Sequence, residues 1–327
     1  MTDRAVSSGF AFPAYNIHDI FTLNAAVEGF AEAESDGIVQ IYPDAAAAVS
    51  GSLRDPVLGA VTLAEHAKRL AQRCGVFIAV HTDHCDRMLA ASYLEPLIME
   101  SRRRKQAGGE NLFTGHMFDG SAMPLARNLA CAKEYAQRCA EEKLWLEIEV
   151  GIMGSENRET AAGAKVYTSP EDFIAIYDLL PESRKGGLLV APSFGNVHGV
   201  YKPGEVRLKP EILGICQARI EELHGKEARF ELVFHGGSGS SEAEIREAIS
   251  HGVVKMNFDT DGQYAFTRAV ADYLFKNYDK VLRIDGEMGV KSAFFAETWL
   301  DKGKAALKAH VAAACRLLGS AGKSIRS

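Results

Sequence analysis

The 327-residue sequence lacks four features that would place it in other classes of protein. It has no apolar stretch near the roughly 18 residues that a membrane-spanning helix needs, and MTDRAVSSG at its start has no signal-peptide core. Its six cysteines form no CxxC pair, which is typical of reduced thiols. Positive charge is not in excess, because the formal net charge is −6. We therefore expect a cytoplasmic protein with neither a membrane nor a nucleic acid as its partner.

Short apolar runs, separated by segments with helical spacing of apolar residues, dominate the chain. Near-continuous apolar runs are typical of parallel strands that are covered on both faces. Eight such units predict an α/β protein, a single (β/α)8 TIM barrel over residues 1–327, in which 279–327 form a C-terminal helical extension. The predicted strands are 10–17, 36–43, 75–83, 111–119, 144–151, 187–194, 230–237 and 252–260, and the clearest predicted helices are 63–74, 122–143, 170–180 and 242–250.

Three histidines, His84, His198 and His235, each follow a predicted strand. In a barrel of this kind the catalytic groups come from the carboxyl ends of the strands, so these side chains share one rim. Neutral imidazoles on separate strands can bind one Zn²⁺-like ion. A lone histidine is more often a hydrogen-bonded structural residue, and the other seven are interpreted in that way.

Carboxylates accompany these histidines. Asp83 precedes His84 and is a candidate general acid or base. Glu147 and Glu149 alternate along the fifth predicted strand, so both face the same way. Because outer strand faces in a barrel are normally apolar, we expect both inside. Glu149 and Asp119, near the ends of their strands, are then candidate metal ligands.

A glycine-rich turn after the seventh predicted strand, HGGSGSS, leads into a Ser241-x-x-Glu244 capping-box pattern. Glycines let the backbone approach a phosphate, and the free N–H groups of a helix start favour an anion. The eighth predicted strand ends similarly, in MNFDT. A plain tight turn is the alternative. Phosphate sites after strands seven and eight recur in this fold, so we expect a phosphorylated substrate.

The strings HTDHC, LEIEVG, SFGNVHGVYKPG, VFHGGSGS and GVVKMNFDTD resemble those of class II, metal-dependent fructose-bisphosphate aldolases, and AFPAYN also fits. The similarity extends in order from about Phe10 to Val290. It implies a zinc-dependent enzyme, a homodimer or homotetramer, that interconverts a ketose 1-phosphate with dihydroxyacetone phosphate and an aldehyde.

The resemblance also implies roles for individual residues. His84, His198 and His235 would bind zinc, and Asp119 and Glu149 match a second or alternate metal position. The remaining implied site residues are Asp83 for the proton at the C4 oxygen, Asn257 at the carbon chain, Asn16 as a substrate contact, and Gly199, Gly236, Ser238, Asp259 and Thr260 at the phosphate end. A monovalent cation, Na⁺ or K⁺, is expected near the phosphate loops.

This chemistry agrees with the residue pattern. Loss of a proton from C1 of dihydroxyacetone phosphate gives an enediolate, whose negative charge a divalent ion stabilises as a Lewis acid. A Schiff base on Lys255 would leave the three histidines unexplained. A zinc-dependent sugar-phosphate isomerase or epimerase is an alternative, and so is a non-catalytic phosphosugar-binding protein.

The sequence departs from the family in the loop after the fifth predicted strand. Where the family commonly has Gly-Gly-Glu-Glu, this chain reads Gly-Ser-Glu-Asn at 154–157. Asn157 replaces a proposed proton-abstracting glutamate and cannot take a proton. We expect Glu156 or Glu159 to substitute for it.

Two further departures concern the aldehyde. Tyr42 begins the string YPDAAAA where the family usually has a serine and a glycine-containing loop. Glu297 aligns with the family arginine that reaches the distal phosphate of fructose 1,6-bisphosphate. Losing a charge-assisted contact to phosphate costs about 1.5–3 kcal/mol, and a like charge adds to that cost. We expect an acceptor aldehyde other than glyceraldehyde 3-phosphate, either neutral or positively charged.

Overall fold

Eight of the strands are parallel and close into a barrel in the order β1-β10-β9-β7-β5-β4-β3-β2. The computed structural model describes residues 1–151, 154–155, 167–181, 187–198, 208–237, 239–283 and 287–326, with only the backbone of 154–155 and 197–198. The barrel strands are β1 (Phe12–Asn16), β2 (Gly37–Ile41), β3 (Ile78–Thr82), β4 (Gly115–Phe118), β5 (Trp145–Val150), β7 (Leu188–Pro192), β9 (Glu231–Phe234) and β10 (Val253–Phe258). Each lies within a predicted strand, so the TIM-barrel prediction is confirmed. A short parallel pair, β6 (Gly154–Ser155) and β8 (Val197–His198), was not predicted.

Helices cover the outside of the barrel. They are α1 (Thr2–Ser8), α2 (Ile20–Glu32), α3 (Pro43–Val49), α4 (Pro56–Cys74), α5 (Arg87–Leu89), α6 (Glu95–Gln106), α7 (Leu125–Glu141), α8 (Pro170–Leu179), α9 (Glu211–His224), α10 (Glu242–Ser250), α11 (Thr260–Lys276), α12 (Tyr278–Val281), α13 (Lys291–Phe294) and α14 (Ala296–Leu318). The four helices named from the sequence are present. The capping box of α10 is also confirmed, since Ser241 N–H donates to Glu244 and Glu244 N–H donates to Ser241 Oγ.

The last helix, α14, is part of the outer layer of the barrel. It packs against β1 and lies between α2 and α11. One face of α14 is buried and includes Leu307, Val311 and Cys315. Its neighbour α11 is more exposed, because Gly262 is its one buried residue. Gly29 of α2 allows the close approach, because a Cβ there would lie 2.6 Å from Cβ of Val311. The expected C-terminal helices therefore shield the strand at which the barrel closes.

The barrel interior holds a buried ion pair among small apolar side chains. Lys255 Nζ of β10 lies 2.6 Å from Glu147 Oε2 of β5, and both side chains are at most 1% exposed. Glu147 and Glu149 are both inside, as their alternation along β5 predicts. The positive charge of Lys255 and the hydrogen bond from His235 outweigh burial and hold the pKa of Glu147 well below its usual range. The interior is thus charged directly beneath the carboxyl-terminal rim.

The opposite end of the barrel holds a carboxyl group, that of Glu231, whose pKa is raised rather than lowered. Glu231 opens β9 beside α1, and its Oε2 is buried without a hydrogen-bond partner among the described residues. Burial and the charge of Asp3 raise the pKa of Glu231 to about 7, although a hydrogen bond with Thr2 opposes the shift. The folded protein therefore binds a proton at Glu231 more tightly than the unfolded chain does.

Among the described residues, no helix combines the length and the apolar character that crossing a membrane requires.

Replacing Lys255 with methionine is expected to lower the free energy of unfolding by about 3–5 kcal/mol, because Glu147 then keeps a buried charge without its cation. Urea unfolding measures the change. The double variant Glu147→Gln, Lys255→Met is the matched control and should lose less stability than Lys255→Met alone. A single variant that unfolds at the wild-type urea concentration would contradict the stabilising role of this pair.

Glu231 is expected to make the fold less stable as the pH rises from about 4.5 through about 7, because the unfolded chain releases a proton that the folded state still holds. Glu231→Gln cannot ionise, so it should raise the free energy of unfolding by about 1–3 kcal/mol at pH 8 and change it little at pH 4. Urea unfolding at both pH values tests this. The exposed neighbour Glu227→Gln is the control, and an equal gain at both pH values would argue against the linkage.

Candidate active site at the carboxyl end of the barrel

Two of the predicted histidine ligands meet one glutamate at the carboxyl-terminal rim. His84 follows β3, His235 follows β9 and Glu149 lies near the end of β5. One possible ligand atom from each residue lies within 4.8 Å of the others. Glu149 Oε2 is 3.5 Å from His84 Nδ1 and 3.3 Å from His235 Nδ1. Barrel closure therefore assembles a candidate metal centre from strands that are far apart in sequence.

Asp119 and Asp83 flank His84. Asp119, which follows β4, has Oδ2 3.0 Å from His84 Nδ1, and its Oδ1 accepts hydrogen bonds from Ser121. Burial lowers the pKa of His84, but the negative charges of Asp83, Asp119 and Glu149 outweigh burial and raise it to about 10. This cluster of carboxylates attracts a cation strongly.

A second row of contacts orients His235. Its Nε2 lies 2.7 Å from Glu147 Oε1, and Asn196 Nδ2 donates to its backbone oxygen. Because the carboxylate of Glu147 accepts, Nε2 carries the proton and Nδ1 faces Glu149. The link from His235 through Glu147 to Lys255 was missed at the level of sequence, where Lys255 was weighed only as a Schiff-base residue. The pairing of Lys255 with an interior glutamate accounts for its burial.

Asp83 is held at one oxygen. Asn16 Nδ2, at the end of β1, donates to Asp83 Oδ2 over 2.8 Å, and Gln40 Nε2 donates to Asn16 Oδ1. Asp83 Oδ1 is buried and has no hydrogen-bond partner among the described residues. Burial raises the pKa of Asp83, but the positive charges of His84 and Lys255 outweigh it, so the net shift is downward. The amide of Asn16 thus orients the carboxylate and leaves its second oxygen for another group.

The predicted phosphate end gathers around β10 and the turn after β9. Asp259 is the N-cap residue of α11 and Thr260 is its first residue. Gly236 has φ of +62°, a conformation that favours glycine. Asn257 Oδ1 is buried without a hydrogen-bond partner among the described residues.

The rim contains one residue that sequence reasoning assigned a structural role. His18 Nδ1 lies 2.9 Å from the Tyr42 hydroxyl, and its Nε2 lies 3.2 Å from Asp259 Oδ1. The sequence carries no local signal for this contact, because 24 residues separate His18 from Tyr42 and 241 separate it from Asp259.

A cavity of about 310 Å³ opens at this rim. It is lined by Asn16, Tyr42, Pro43, Asp44, Asp83, His84, Leu89 and Asp259. Glu297 lies exposed in the first turn of α14 and does not line this cavity. Tyr42 therefore lines the cavity at the predicted site, whereas Glu297 is not part of the cavity wall.

Several predicted site residues lie outside the part of the chain that the structure describes. Glu156, Gly199 and Ser238 are not described, nor are Asn157 and Glu159. Of His198 only the backbone is described, where it pairs with Ser155.

His81 and His116, which were interpreted as structural, lie buried in the barrel. His81 Nδ1 is 2.8 Å from the Thr82 backbone oxygen, and His116 Nδ1 is 3.1 Å from Thr82 Oγ1. Burial lowers the pKa of His81 to about 4 and that of His116 to about 3. Both are therefore neutral at pH 7.

Comparisons with known proteins agree with this geometry. The family model described as fructose-bisphosphate aldolase class-II matches residues 1–323. The chain is 48% identical to a fructose-bisphosphate aldolase of Streptomyces galbus, over 100% of this chain and 97% of the relative. It is 46% identical to one of Mycobacterium tuberculosis, over 99% and 96%. A solved fructose-bisphosphate aldolase of Campylobacter jejuni superimposes with a TM-score of 0.86 at 35% identity, over 99% of this chain and 94% of that one. The chain therefore belongs to the class-II fructose-bisphosphate aldolase family and is an aldolase, a carbon–carbon lyase.

Proposed function

We propose that the enzyme joins dihydroxyacetone phosphate reversibly to an aldehyde, giving a ketose 1-phosphate, in a zinc-dependent reaction. The observation that carries this proposal is the convergence of His84, Glu149 and His235 at the rim that Asp83 shares. Fructose 1,6-bisphosphate is the default ketose of the family. The enzyme uses an enediolate of dihydroxyacetone phosphate in both directions.

The donor set fits zinc. Imidazole nitrogen and carboxylate oxygen are common zinc ligands, and ligands about 2.1 Å from a tetrahedral ion lie about 3.4 Å apart. The distances of 3.3 and 3.5 Å from Glu149 Oε2 to the two Nδ1 atoms match that spacing. On the family pattern His198 is a further ligand, and Asp119 and Glu149 serve a second or alternate metal position. The bound ion supplies Lewis-acid stabilisation of the negative charge that develops as the C1 proton leaves.

Asp83 moves the proton at the C4 oxygen. During condensation the enediolate carbon forms a bond to the aldehyde carbon, the carbonyl electron pair moves to oxygen, and that oxygen takes a proton from the carboxylic acid form of Asp83, which had taken that proton from solvent. During cleavage the same carboxylate takes the proton back. The hydrogen bond from Asn16 supports this role, since it fixes one oxygen and leaves Oδ1 for the substrate.

The C1 proton needs a different base. Glu156, or failing it Glu159, takes this proton in place of the family glutamate that Asn157 replaces.

The phosphate of dihydroxyacetone phosphate binds at the loops after β9 and β10. Gly199, Gly236, Ser238, Asp259 and Thr260 hold it, with Asp259 acting through its backbone N–H, while Asn16 and Asn257 contact the rest of the substrate. The positive φ of Gly236 and the start of α11 at Thr260 support this placement, because free backbone N–H groups bind anions. A monovalent cation, Na⁺ or K⁺, binds beside these loops.

Assembly and location complete the proposal. The enzyme is a homodimer or homotetramer, which is supported by exposed apolar side chains near the C-terminus, among them Phe275, Leu282 and Met288 at 57–85% exposure. It works in the cytoplasm, and the six cysteines support this because all of them are free thiols.

Removing the metal with a chelator is expected to abolish proton exchange at C1 of dihydroxyacetone phosphate, and added Zn²⁺ should restore it. His84→Ala and His235→Ala should each lose bound zinc, as measured by inductively coupled plasma mass spectrometry, because each removes a ligand. His224→Gln is the control, because the His224 ring stacks on Tyr177 and is not one of the proposed metal ligands. Bound zinc without exchange would favour a binding protein, and exchange with rearrangement but no condensation would favour an isomerase.

Fructose 1-phosphate is expected to be cleaved with a kcat/KM at least about tenfold above that of fructose 1,6-bisphosphate. The reason is the negative charge of Asp44, Asp83 and Asp259 around the rim cavity, since about 1.4 kcal/mol of repulsion corresponds to a factor of ten. Steady-state cleavage of both ketoses measures the ratio. A strong preference for the bisphosphate would overturn the proposed acceptor.

A further inference from the structure

The cavity of about 310 Å³ at the rim is the place for the aldehyde. This step rests on the proposed function. The carbonyl carbon of the aldehyde becomes C4 of the product, so it must lie beside Asp83, and Asp83 and His84 form one side of the cavity. The rest of the aldehyde then extends toward the other lining residues, which include Tyr42, Asp44 and Leu89.

This cavity has a negative wall. Three of its described lining residues, Asp44, Asp83 and Asp259, carry carboxylates, and the described lining includes neither lysine nor arginine. Phosphate on the aldehyde would face like charges there, with His84 already engaged by Asp119 and Glu149. Repulsion of this kind selects against a phosphorylated partner.

Packing of two helices holds the tyrosine and aspartate at the cavity. Tyr42 is the N-cap residue of α3, with Pro43 as the first residue of the helix and Asp44 next to it. Helix α3 packs so closely on α4 that a Cβ at Gly59 would lie 1.8 Å from the backbone oxygen of Ala46. The helix start is therefore fixed relative to the barrel.

Hydrogen bonds set the direction in which the Tyr42 hydroxyl is available. Asp259 accepts from His18 Nε2–H, and in the tautomer with its proton on Nε2 the Nδ1 atom of His18 accepts from the Tyr42 O–H over 2.9 Å. Burial, followed by the charges of Asp259 and Asp44, raises the pKa of Tyr42, so its phenol stays protonated. The remaining lone pairs of the oxygen can accept a hydrogen bond from a ligand.

We propose that Tyr42 and Asp44 select the acceptor, which is an aldehyde that carries a hydroxyl group and no phosphate. Tyr42 accepts a hydrogen bond from that hydroxyl, and Asp44 repels a phosphate at the same end.

Condensation kinetics with dihydroxyacetone phosphate and three aldehydes test this assignment. D-glyceraldehyde carries hydroxyls, D-glyceraldehyde 3-phosphate adds the phosphate, and propanal has neither. The wild-type enzyme should use D-glyceraldehyde with the highest kcat/KM. Asp44→Asn should raise the ratio of kcat/KM for the phosphorylated aldehyde to that for D-glyceraldehyde about tenfold, since about 1.4 kcal/mol of repulsion equals a factor of ten. The side chain of Asp44 is exposed, so folding should tolerate the change.

Tyr42→Phe tests the hydroxyl contact and keeps the aromatic ring. Its kcat/KM should fall about tenfold more for D-glyceraldehyde than for propanal. Equal losses for both aldehydes would overturn the role of Tyr42. An unchanged ratio of phosphorylated to unphosphorylated aldehyde in Asp44→Asn would overturn the role of Asp44. Asp279→Asn, an exposed carboxylate on α12, is the matched control.

Proton exchange at C1 of dihydroxyacetone phosphate separates this inference from the proposed function, because exchange needs no aldehyde. Wild-type enzyme that exchanges the proton and prefers D-glyceraldehyde 3-phosphate overturns the acceptor assignment alone. Wild-type enzyme that binds zinc and exchanges no proton overturns the proposed function.

Discussion

Closure of the barrel between β1 and β10 is the constraint on which the site depends. The register pairs Ala14 with Asn257 and Tyr15 with Phe258, so the chain after β1 meets the chain after β10. The contact of His18 with Asp259 exists because of this closure. The helix α14 covers the closing strand from outside, and Gly29 lets it approach α2.

Electrostatics beneath the rim follow from one interior glutamate. Glu147 accepts from His235 with one oxygen and pairs with Lys255 through the other. Water is excluded there, so each partner is costly to remove, and the low pKa of Glu147 reflects its partners rather than its burial. The result is a fixed imidazole whose Nδ1 faces Glu149. Rigid support of this kind would let the candidate metal centre bind an ion with little rearrangement.

The local pattern of apolar residues was sufficient to predict the barrel. It did not predict contacts between residues that are far apart in sequence. The runs around Val39 and Val190 are apolar enough to identify buried strands, and the alternation of Glu147 with Glu149 placed both inside. The partner of Glu147 lies 108 residues away, which no local pattern reports. Helix α3 was not predicted, because its short alanine-rich sequence lacks the large apolar residues spaced three and four positions apart that identify longer helices. The hydrogen bond between His18 and Tyr42 depends on side-chain rotamers as well as on topology. The sequence does not report such a contact, and His18 was therefore interpreted as structural.

The sequence by itself determined the barrel, the rim that carries His84 and His235, and the class of chemistry, because strand ends and their flanking residues are local features. Tertiary structure alone decided which side chains touch. It placed Asn16 on Asp83 and Glu147 between His235 and Lys255. It also brought Tyr42 and Asp44, rather than Glu297, to the wall of the cavity. Such contacts join strands and helices distant along the chain, and their distances are set by barrel closure and helix packing.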